Sequence, residues 1–355
     1  MPDGADHQES FIIYYRYSSD RGNNMPSSEP IKDKLASNAK RVDAYIDSVL
    51  KPRRPDILYD ASRHLISVGG KRLRPFLVVK SCEAVGGNAE EALPFAVALE
   101  ILHNFTLIHD DIMDKDELRR GAPTVHTKWN VPIAIAAGDL LFAKVYEIMA
   151  SQRLSSKRLR ECILMTTEAA IEICEGQVLD VSFPDTTEVT EEDYLFMVEG
   201  KTSALFKACA EIGATVGGGS KRQVAALGRF AWDAGIAFQL VDDFLGVTGD
   251  EKTLGKPVGS DLREGKKTLI VIHALNHASA KQKTKIRSVL GSHTVAASDI
   301  AEVNMILRKT RSIDYALRKA DRYVAKAKTS ILGLPESRAK KDLLDLIDYF
   351  TKRSY

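Results

Sequence analysis

At 355 residues, 44% hydrophobic and 28% charged, the chain has enough apolar material for one large core, and length alone would allow two domains. Its formal net charge of +2, with basic and acidic residues interspersed, argues against a nucleic-acid or anionic-membrane surface, so any phosphate binding must be local. Cys82, Cys162, Cys174 and Cys209 form no Cys-x-x-Cys pair and no disulfide framework, which points to reduced core thiols in a cytoplasmic protein.

Residues 1–30 place Gly, Ser, Asn, Asp and Pro around one aromatic run, Phe11 to Tyr17, and read as a flexible tail without the features of a signal peptide. No uninterrupted apolar segment approaches a membrane span; the most apolar region, Val131 to Ala150, is broken by Asp139 and Lys144 and reads as a core helix. From Ile31 onward the pattern is helical. Leu35, Val42, Ile46 and Leu50 keep a 3.6-residue period, Pro52 and Pro55 end that helix, and a second begins near Asp56 and closes at Gly69-Gly70. Further helices are predicted over Leu73 to Val85, Ala92 to Met113, Pro132 to Ala150, Ser156 to Leu179, Glu191 to Val216 and Gln223 to Val247, then Ala316 to Ile331 and Ser337 to Lys352. Short glycine- or proline-bearing connections separate them, strand signals are nearly absent, and no linker divides the chain, so residues 31–355 read as a single all-α domain. The last of these helices read as packing without chemistry.

The polar residues that interrupt this pattern are of two kinds. Asp110 and Asp114, four apart on a helix, share a face with Cβ atoms about 5–6 Å apart, and Asp111 supports them. Hard oxygen ligands so arranged suit Mg²⁺, which takes one or two carboxylates and fills its other positions with water and substrate phosphate. A solvated helix end would look the same in isolation. Asp242 and Asp243 form a second pair late in an apolar helix, where an unpartnered carboxylate is expensive to bury, and Gln239 lies one turn earlier. The basic groups include Lys71, Arg72 and Arg74 after Gly69-Gly70, then Arg119 and Arg120, and Lys201 beside Thr202. Lys256, Lys266 and Lys267 lie in a polar loop over 249–268. Arginine meets phosphate through two donors at once, and glycine lets backbone approach it. His103, two helical turns before Asp110, could line the same cavity or be an ordinary core histidine.

Gly-Gly-Lys-Arg-Leu-Arg-Pro at 69–75, Asp-Asp-Ile-Met-Asp at 110–114 with Arg-Arg-Gly at 119–121, Lys-Thr at 201–202 and Phe-Gln-Leu-Val-Asp-Asp at 238–243 resemble, in order, the motifs of trans-isoprenyl diphosphate synthases. The stretch 249–268 is most similar to archaeal geranylgeranyl diphosphate synthases. The resemblance implies a bundle of roughly a dozen helices around a deep cavity, a homodimer, and head-to-tail condensation of isopentenyl diphosphate with an allylic diphosphate. Within it, Lys71, Arg74, His103 and Arg120 match the isopentenyl diphosphate positions; Arg119, Lys201, Thr202, Gln239, Lys256 and Lys266 match those facing the allylic diphosphate. Asp110, Asp114 and Asp242 match ligands for two or three Mg²⁺ ions, with Asp111 and Asp243 in support. One departure is Gly246, where many relatives complete a second Asp-Asp-x-x-Asp; the nearest later carboxylate is Asp250.

The implied chemistry needs such groups, because ionising an allylic C–O bond requires stabilising the departing diphosphate, while apolar helices keep water from the cation. A class I terpene cyclase has no second diphosphate to bind, and a non-catalytic partner subunit tends to lose the acid clusters, so both fit the residues less well. Product length follows from the resemblance too. Phe105 five residues before Asp110, Thr106 four before it, and no two-residue insertion are similar to archaeal C20 synthases, with farnesyl or longer-chain synthesis the alternative. Phe105 is then the expected cavity floor, with Leu102 and Leu99 next in turn. The helical wheel sets Phe105 about 140° from Asp110, so periodicity does not itself nominate it.

Overall fold

The computed structural model describes residues 29–248, 259–292 and 294–351; most of the 1–30 tail lies outside them, as do Lys256 and Asp250. Helices α1 (Ile31–Val49), α2 (Asp56–Ser67), α3 (Leu73–Ala84) and α4 (Ala89–Met113) lead into a small hairpin of β1 (Leu118–Arg119) and β2 (Ala122–Pro123). Then come α5 (Val125–Lys128), α6 (Val131–Ala150), α7 (Ser156–Ser182), α8 (Glu191–Val198), α9 (Ala204–Val216) and α10 (Lys221–Thr248). The remainder is α11 (Ser260–Arg263), α12 (Leu269–His277), α13 (Ala280–Val289), α14 (Ala297–Lys309), α15 (Ser312–Ser330) and α16 (Arg338–Thr351).

The fold is organised about α4. Every residue from Ala92 to Leu102 is buried, as expected of a helix apolar all round. Burial then becomes one-sided, and the last turns carry His103, Thr106, Asp110 and Asp114 to a cavity. By length and composition α4 and α10 could each cross a membrane, contrary to the expectation that no segment comes close. Their apolar windows are nevertheless 72% and 61% buried within the fold, so protein rather than lipid covers them. One apolar core joins α1–α4, α6, α7, α9 and α16, and a second joins α8 with α11–α14; α10 and α15 contribute to both.

The C-terminal helix shows how local pattern becomes packing. Leu343, Leu346, Ile347 and Phe350 fall on one face and are at most 2% exposed, each contributing about 1.5–3 kcal/mol on burial. Phe350 sits against Phe206 and Phe238, with ring centroids 6.0 and 5.2 Å away. Helix α16 is thereby fixed beside the cavity, which Tyr349 helps to line.

The predicted helix over Glu191 to Val216 is the main departure. A π-helical turn, Glu199–Ser203, divides it. Such turns cluster at functional sites, and this one carries Lys201 and Thr202. The expected polar loop over 249–268 also differs, since its described part contains α11.

Candidate active site

A cavity of about 1240 Å³ opens between α4, α7, α10 and the segments after α2 and α10. Its two ends differ in charge. At the first, Gly69 at φ +93° and Arg72 at φ +48° turn the chain sharply into α3 and place Lys71 and Arg74 on the wall. The Lys71 Nζ lies 5.8 Å from the Tyr349 ring centroid. Arg74 lies over Phe206 at 4.8 Å, and its Nη1 is 3.2 Å from His103 Nε2. Burial, with Arg74 and Arg120 adding to it, holds the His103 imidazole well below its usual range, so a neutral ring accepts from Arg74. The buried Arg74 Nε has no protein acceptor, a donor suited to a phosphate oxygen.

Arg72, grouped by sequence with these bases, does something else. Its Nε donates to Asp43 at 2.8 Å, Nη1 to Glu100 at 2.9 Å and Nη2 to the Ile66 carbonyl at 2.8 Å. It braces the loop from behind, tying α1 to α4. Arg120 and Gly121, at φ +54° and +77°, form the two-residue turn of the hairpin, in which both central residues take positive φ. That turn aims Arg120 at the same loop, where Nη1 donates to the Gly69 carbonyl.

The other end is acidic. Asp110 and Asp114 line the cavity, but Asp111 turns inward, fully buried, and accepts from Arg119 Nε at 2.5 Å. Burial pushes the Asp110 carboxyl up to about 6, opposed by Lys201, and pushes Asp111 up to about 6 against the pull of Arg119. Asp114 is also raised by burial, with Lys201 and Lys266 opposing.

Facing them is a backbone-to-backbone contact that explains two sequence features. A Cβ on Gly176 would come 2.3 Å from Lys201 N, and one on Gly200 would come 2.6 Å from the Glu172 carbonyl. Two glycines thus let α7 meet the π-helical turn, where Lys201 pairs with Asp180 of α7. Asp180 lines the cavity and was not singled out by sequence, since it stands alone; Gly176 opposite Gly200 was its only signal. Burial would raise its carboxyl, but Lys201 and Lys266 hold it below the usual range.

On α10, Thr202 Oγ1 donates to Gln239 Oε1 at 3.0 Å, and Gln239 Nε2 donates to Asp243 Oδ1 at 2.8 Å. Tyr194 completes the set, donating to Asp243 Oδ2 at 2.6 Å. Thr202 and Gln239 line the cavity as expected while also orienting Asp243, whose carboxyl is pushed up to about 7 by burial and by Asp261. Asp242 is the exposed member of the pair. The place of the carboxylate missing at Gly246 is taken from elsewhere: a Cβ there would come 2.3 Å from Asp261 Oδ2. Lys266 and Lys267 both reach the cavity; Lys266 lies 3.0 Å from Glu264, and Lys267 donates to the Phe183 carbonyl at 2.7 Å and braces the end of α7.

A family model described as polyprenyl synthetase matches residues 55–307. The chain belongs to that family. It is 43% identical over 323 residues to the geranylgeranyl diphosphate synthase of Methanosarcina mazei, covering 91% of this chain and 98% of that one. The crystal structure of geranylgeranyl pyrophosphate synthetase from Pyrococcus horikoshii superimposes with a TM-score of 0.87 at 43% identity, covering 91% and 98% of the two chains. That of geranylgeranyl pyrophosphate synthase from Corynebacterium glutamicum, complexed with isoprenyl diphosphate and magnesium, superimposes with a TM-score of 0.79 at 30% identity, covering 91% and 97%. Relatives of similar identity include one named geranylfarnesyl diphosphate synthase.

For a polyprenyl synthetase the fit to a cation can be judged from the donors. Among the described residues no three His, Cys, Asp or Glu side chains gather closely enough to hold an ion unaided. Carboxylates on opposite walls, with Asp110 raised by burial and the buried Asp111 Oδ2 lacking a partner, suit a hard ion that shares its shell with water and phosphate. The residues fit Mg²⁺.

Phe105 is placed differently from its expected role. Thr106 lines the cavity, its hydroxyl donating to the His103 carbonyl at 2.8 Å, but Phe105 is absent from the lining and turns toward α6.

Proposed function

We propose that this polyprenyl synthetase condenses isopentenyl diphosphate with dimethylallyl, geranyl or farnesyl diphosphate and stops at C20, geranylgeranyl diphosphate. The observation that carries the reading is a single cavity with two unlike anion sites. Lys71, Arg74, His103 and Arg120 would hold isopentenyl diphosphate, while Arg119, Lys201, Thr202, Gln239 and Lys266, with Lys256, would face the allylic diphosphate. A cyclase would have no use for the first set. The C20 product is supported by the geranylgeranyl synthases among the relatives and by Phe105 and Thr106 before the first acid cluster.

Asp110, Asp114 and Asp242 would hold Mg²⁺, which supplies positive charge at the leaving diphosphate. Asp111 would keep Arg119 in place, and Lys201 and Lys266 would add charge-assisted donors as the allylic C–O bond breaks. The isopentenyl double bond then attacks the allylic carbon, and the proton lost from the adduct goes to the departing diphosphate. Apolar side chains such as Ile173 and Leu205 line the cavity and exclude water from the cation.

A single domain from residue 31 and a cytoplasmic location belong to the same reading; free Cys82, Cys162 and Cys209, all buried, support the latter. So does a homodimer. Leu164, Ile171 and Val178 recur every seventh residue along α7 at 45%, 55% and 68% exposure, an apolar stripe suited to a second copy. A monomer in sedimentation velocity would remove that part.

The test is incorporation of radiolabelled isopentenyl diphosphate with each allylic primer, followed by dephosphorylation and chromatography beside prenyl alcohol standards. Geranylgeraniol is expected. Failure to incorporate label with any primer would overturn the reading, whereas a C15 or C25 alcohol would correct only the length.

A further inference from the structure

Arg119 and Arg120, one for each diphosphate on the proposed reading, are delivered by a hairpin whose strands are only two residues long. A two-stranded hairpin is marginal by itself even at ordinary length, so β1 and β2 must be held from outside. Within the hairpin Leu118 pairs with Pro123 and Arg119 with Ala122. Thr124 closes the base, its N donating to the Glu117 carbonyl at 3.0 Å and its Oγ1 to the Asp116 carbonyl at 2.8 Å. None of these bonds fixes the hairpin against the rest of the fold.

Helix α2 does so. His64, outside the cavity lining, donates from Nε2 to the Pro123 carbonyl at 2.7 Å. Because a carbonyl only accepts, the ring proton lies on Nε2, which leaves Nδ1 to accept from Lys128 Nζ at 3.3 Å. The Trp129 ring packs edge-on against the same imidazole, with centroids 5.3 Å apart, and Lys128 lies over the Trp129 ring at 4.6 Å. One half-buried imidazole thus grips the chain on both sides of Thr124. Just past the end of α2, the Gly69 carbonyl accepts from Arg120 Nη1, and a Cβ on Gly70 would come 2.9 Å from that nitrogen.

The two arginines depend on this anchor unequally. Arg119 is also held by two carboxylates, Asp111 through Nε and Asp116 at 3.7 Å, whereas among the described residues no carboxylate pairs with Arg120. We propose that His64 is a positioning residue for isopentenyl diphosphate: by registering the hairpin on α2 it aims Arg120 across Gly69 and Gly70 at that substrate, which it does not itself touch. The proposal rests on the assignment of Arg120 to isopentenyl diphosphate.

The experiment compares wild type, His64→Phe, His64→Asn, His64→Gln and Arg120→Ala by steady-state kinetics with each substrate varied in turn, by calorimetric binding of isopentenyl diphosphate, and by melting temperature. His64→Phe keeps a ring against Trp129 and loses both polar contacts. It is expected to raise KM and Kd for isopentenyl diphosphate about three- to tenfold, part of what a charge-assisted contact supplies, with kcat and the allylic KM within about twofold of wild type. His64→Asn, too short to reach Pro123, is expected to do the same and serves should the Phe variant fold poorly. His64→Gln, whose amide can donate to Pro123 and accept from Lys128, is expected to restore most of the affinity. Wild-type Kd in the folded Phe and Asn variants would overturn the proposal, even with a lowered melting temperature, since that is what mere packing predicts. An equal rise in KM for both substrates, or a fall in kcat alone, would also overturn it. Unchanged isopentenyl diphosphate binding in Arg120→Ala would instead overturn the assignment beneath it.

Discussion

The two ends of the cavity, each of which would take a diphosphate on the proposed reading, are built by opposite means. Lys71, Arg74 and Arg120 converge around a neutral His103, and the buried Glu100 behind them is paired with Arg72 rather than with any of the three. At the other end each cation with a described partner is already committed: Lys201 to Asp180, Arg119 to Asp111 and Lys266 to Glu264. Asp110, Asp114, Asp242 and Asp243 stand among them. A phosphate oxygen brought within 4 Å of one such carboxylate meets repulsion of about 4 kcal/mol at an effective dielectric near 20. On the proposed reading the first end would bind a diphosphate as it stands, and the second would need divalent cations first. That asymmetry also suits the chemistry, because only the allylic diphosphate has to leave.

The largest expected effect breaks the acidic end. Asp110→Ala and Asp242→Ala should each lower turnover by orders of magnitude, with helical content by circular dichroism unchanged, while calorimetric binding of isopentenyl diphosphate persists. Near-normal turnover of Asp110→Ala at saturating Mg²⁺ would erase the distinction. Simultaneous loss of isopentenyl diphosphate binding would show that the two ends are not independent.

A smaller effect separates the basic groups. Loss of one charge-assisted contact costs about 1.5–3 kcal/mol, roughly ten- to a hundredfold. Lys71→Ala and Arg74→Ala should spend that loss on KM for isopentenyl diphosphate. Lys201→Ala should instead lower kcat and weaken the allylic substrate. Steady-state kinetics with each substrate varied in turn distinguishes them, and equal effects on both substrates from all three variants would merge the sites.

The same contrast governs what could be read from sequence. Helices declared themselves by apolar period, and compact motifs gave most of the lining, with Asp110 and Asp114, Lys71 and Arg74 facing the cavity while Asp111 turns inward. Direction was less legible than presence. Arg72 lies between two cavity-lining bases yet spends its donors on Asp43, Glu100 and Ile66, because the left-handed turn at that residue sends its side chain backward. Phe105 likewise turns to α6 while Thr106 faces the cavity. Asp180 and Asp261 went unread since each reaches the site only by tertiary approach, across paired glycines in one case and over Gly246 in the other. Tyr349 arrives from the far C-terminus on a helix whose pattern speaks only of packing.

The smallest expected effect is on stability, and here the two ends pull in opposite directions. Without a divalent cation, burial raises Asp110 and Asp111 to about 6 and Asp243 to about 7. A raised carboxyl stabilises the fold fully below its unfolded value near 3.9 and loses that contribution as pH rises through the folded value. Asp180, held low by its lysines, has the reverse sign, but its contribution is lost only in stronger acid. His103 acts within the window: lowered by burial, it favours the fold above its unfolded value near 6.5 and disfavours it as pH falls below. Three raised carboxyls outweigh one imidazole, so in EDTA the melting temperature should fall between about pH 5 and 8. Asp243→Asn should shrink the fall, and His103→Asn should steepen it by removing the acid-side penalty. Mg²⁺ with a non-hydrolysable diphosphate should raise the melting temperature more at pH 8 than at pH 5.5, because binding at the carboxylates displaces protons. A melting temperature in EDTA that rises across this range would mean that the acidic end is already neutralised without a cation, and the contrast between the two ends would fail.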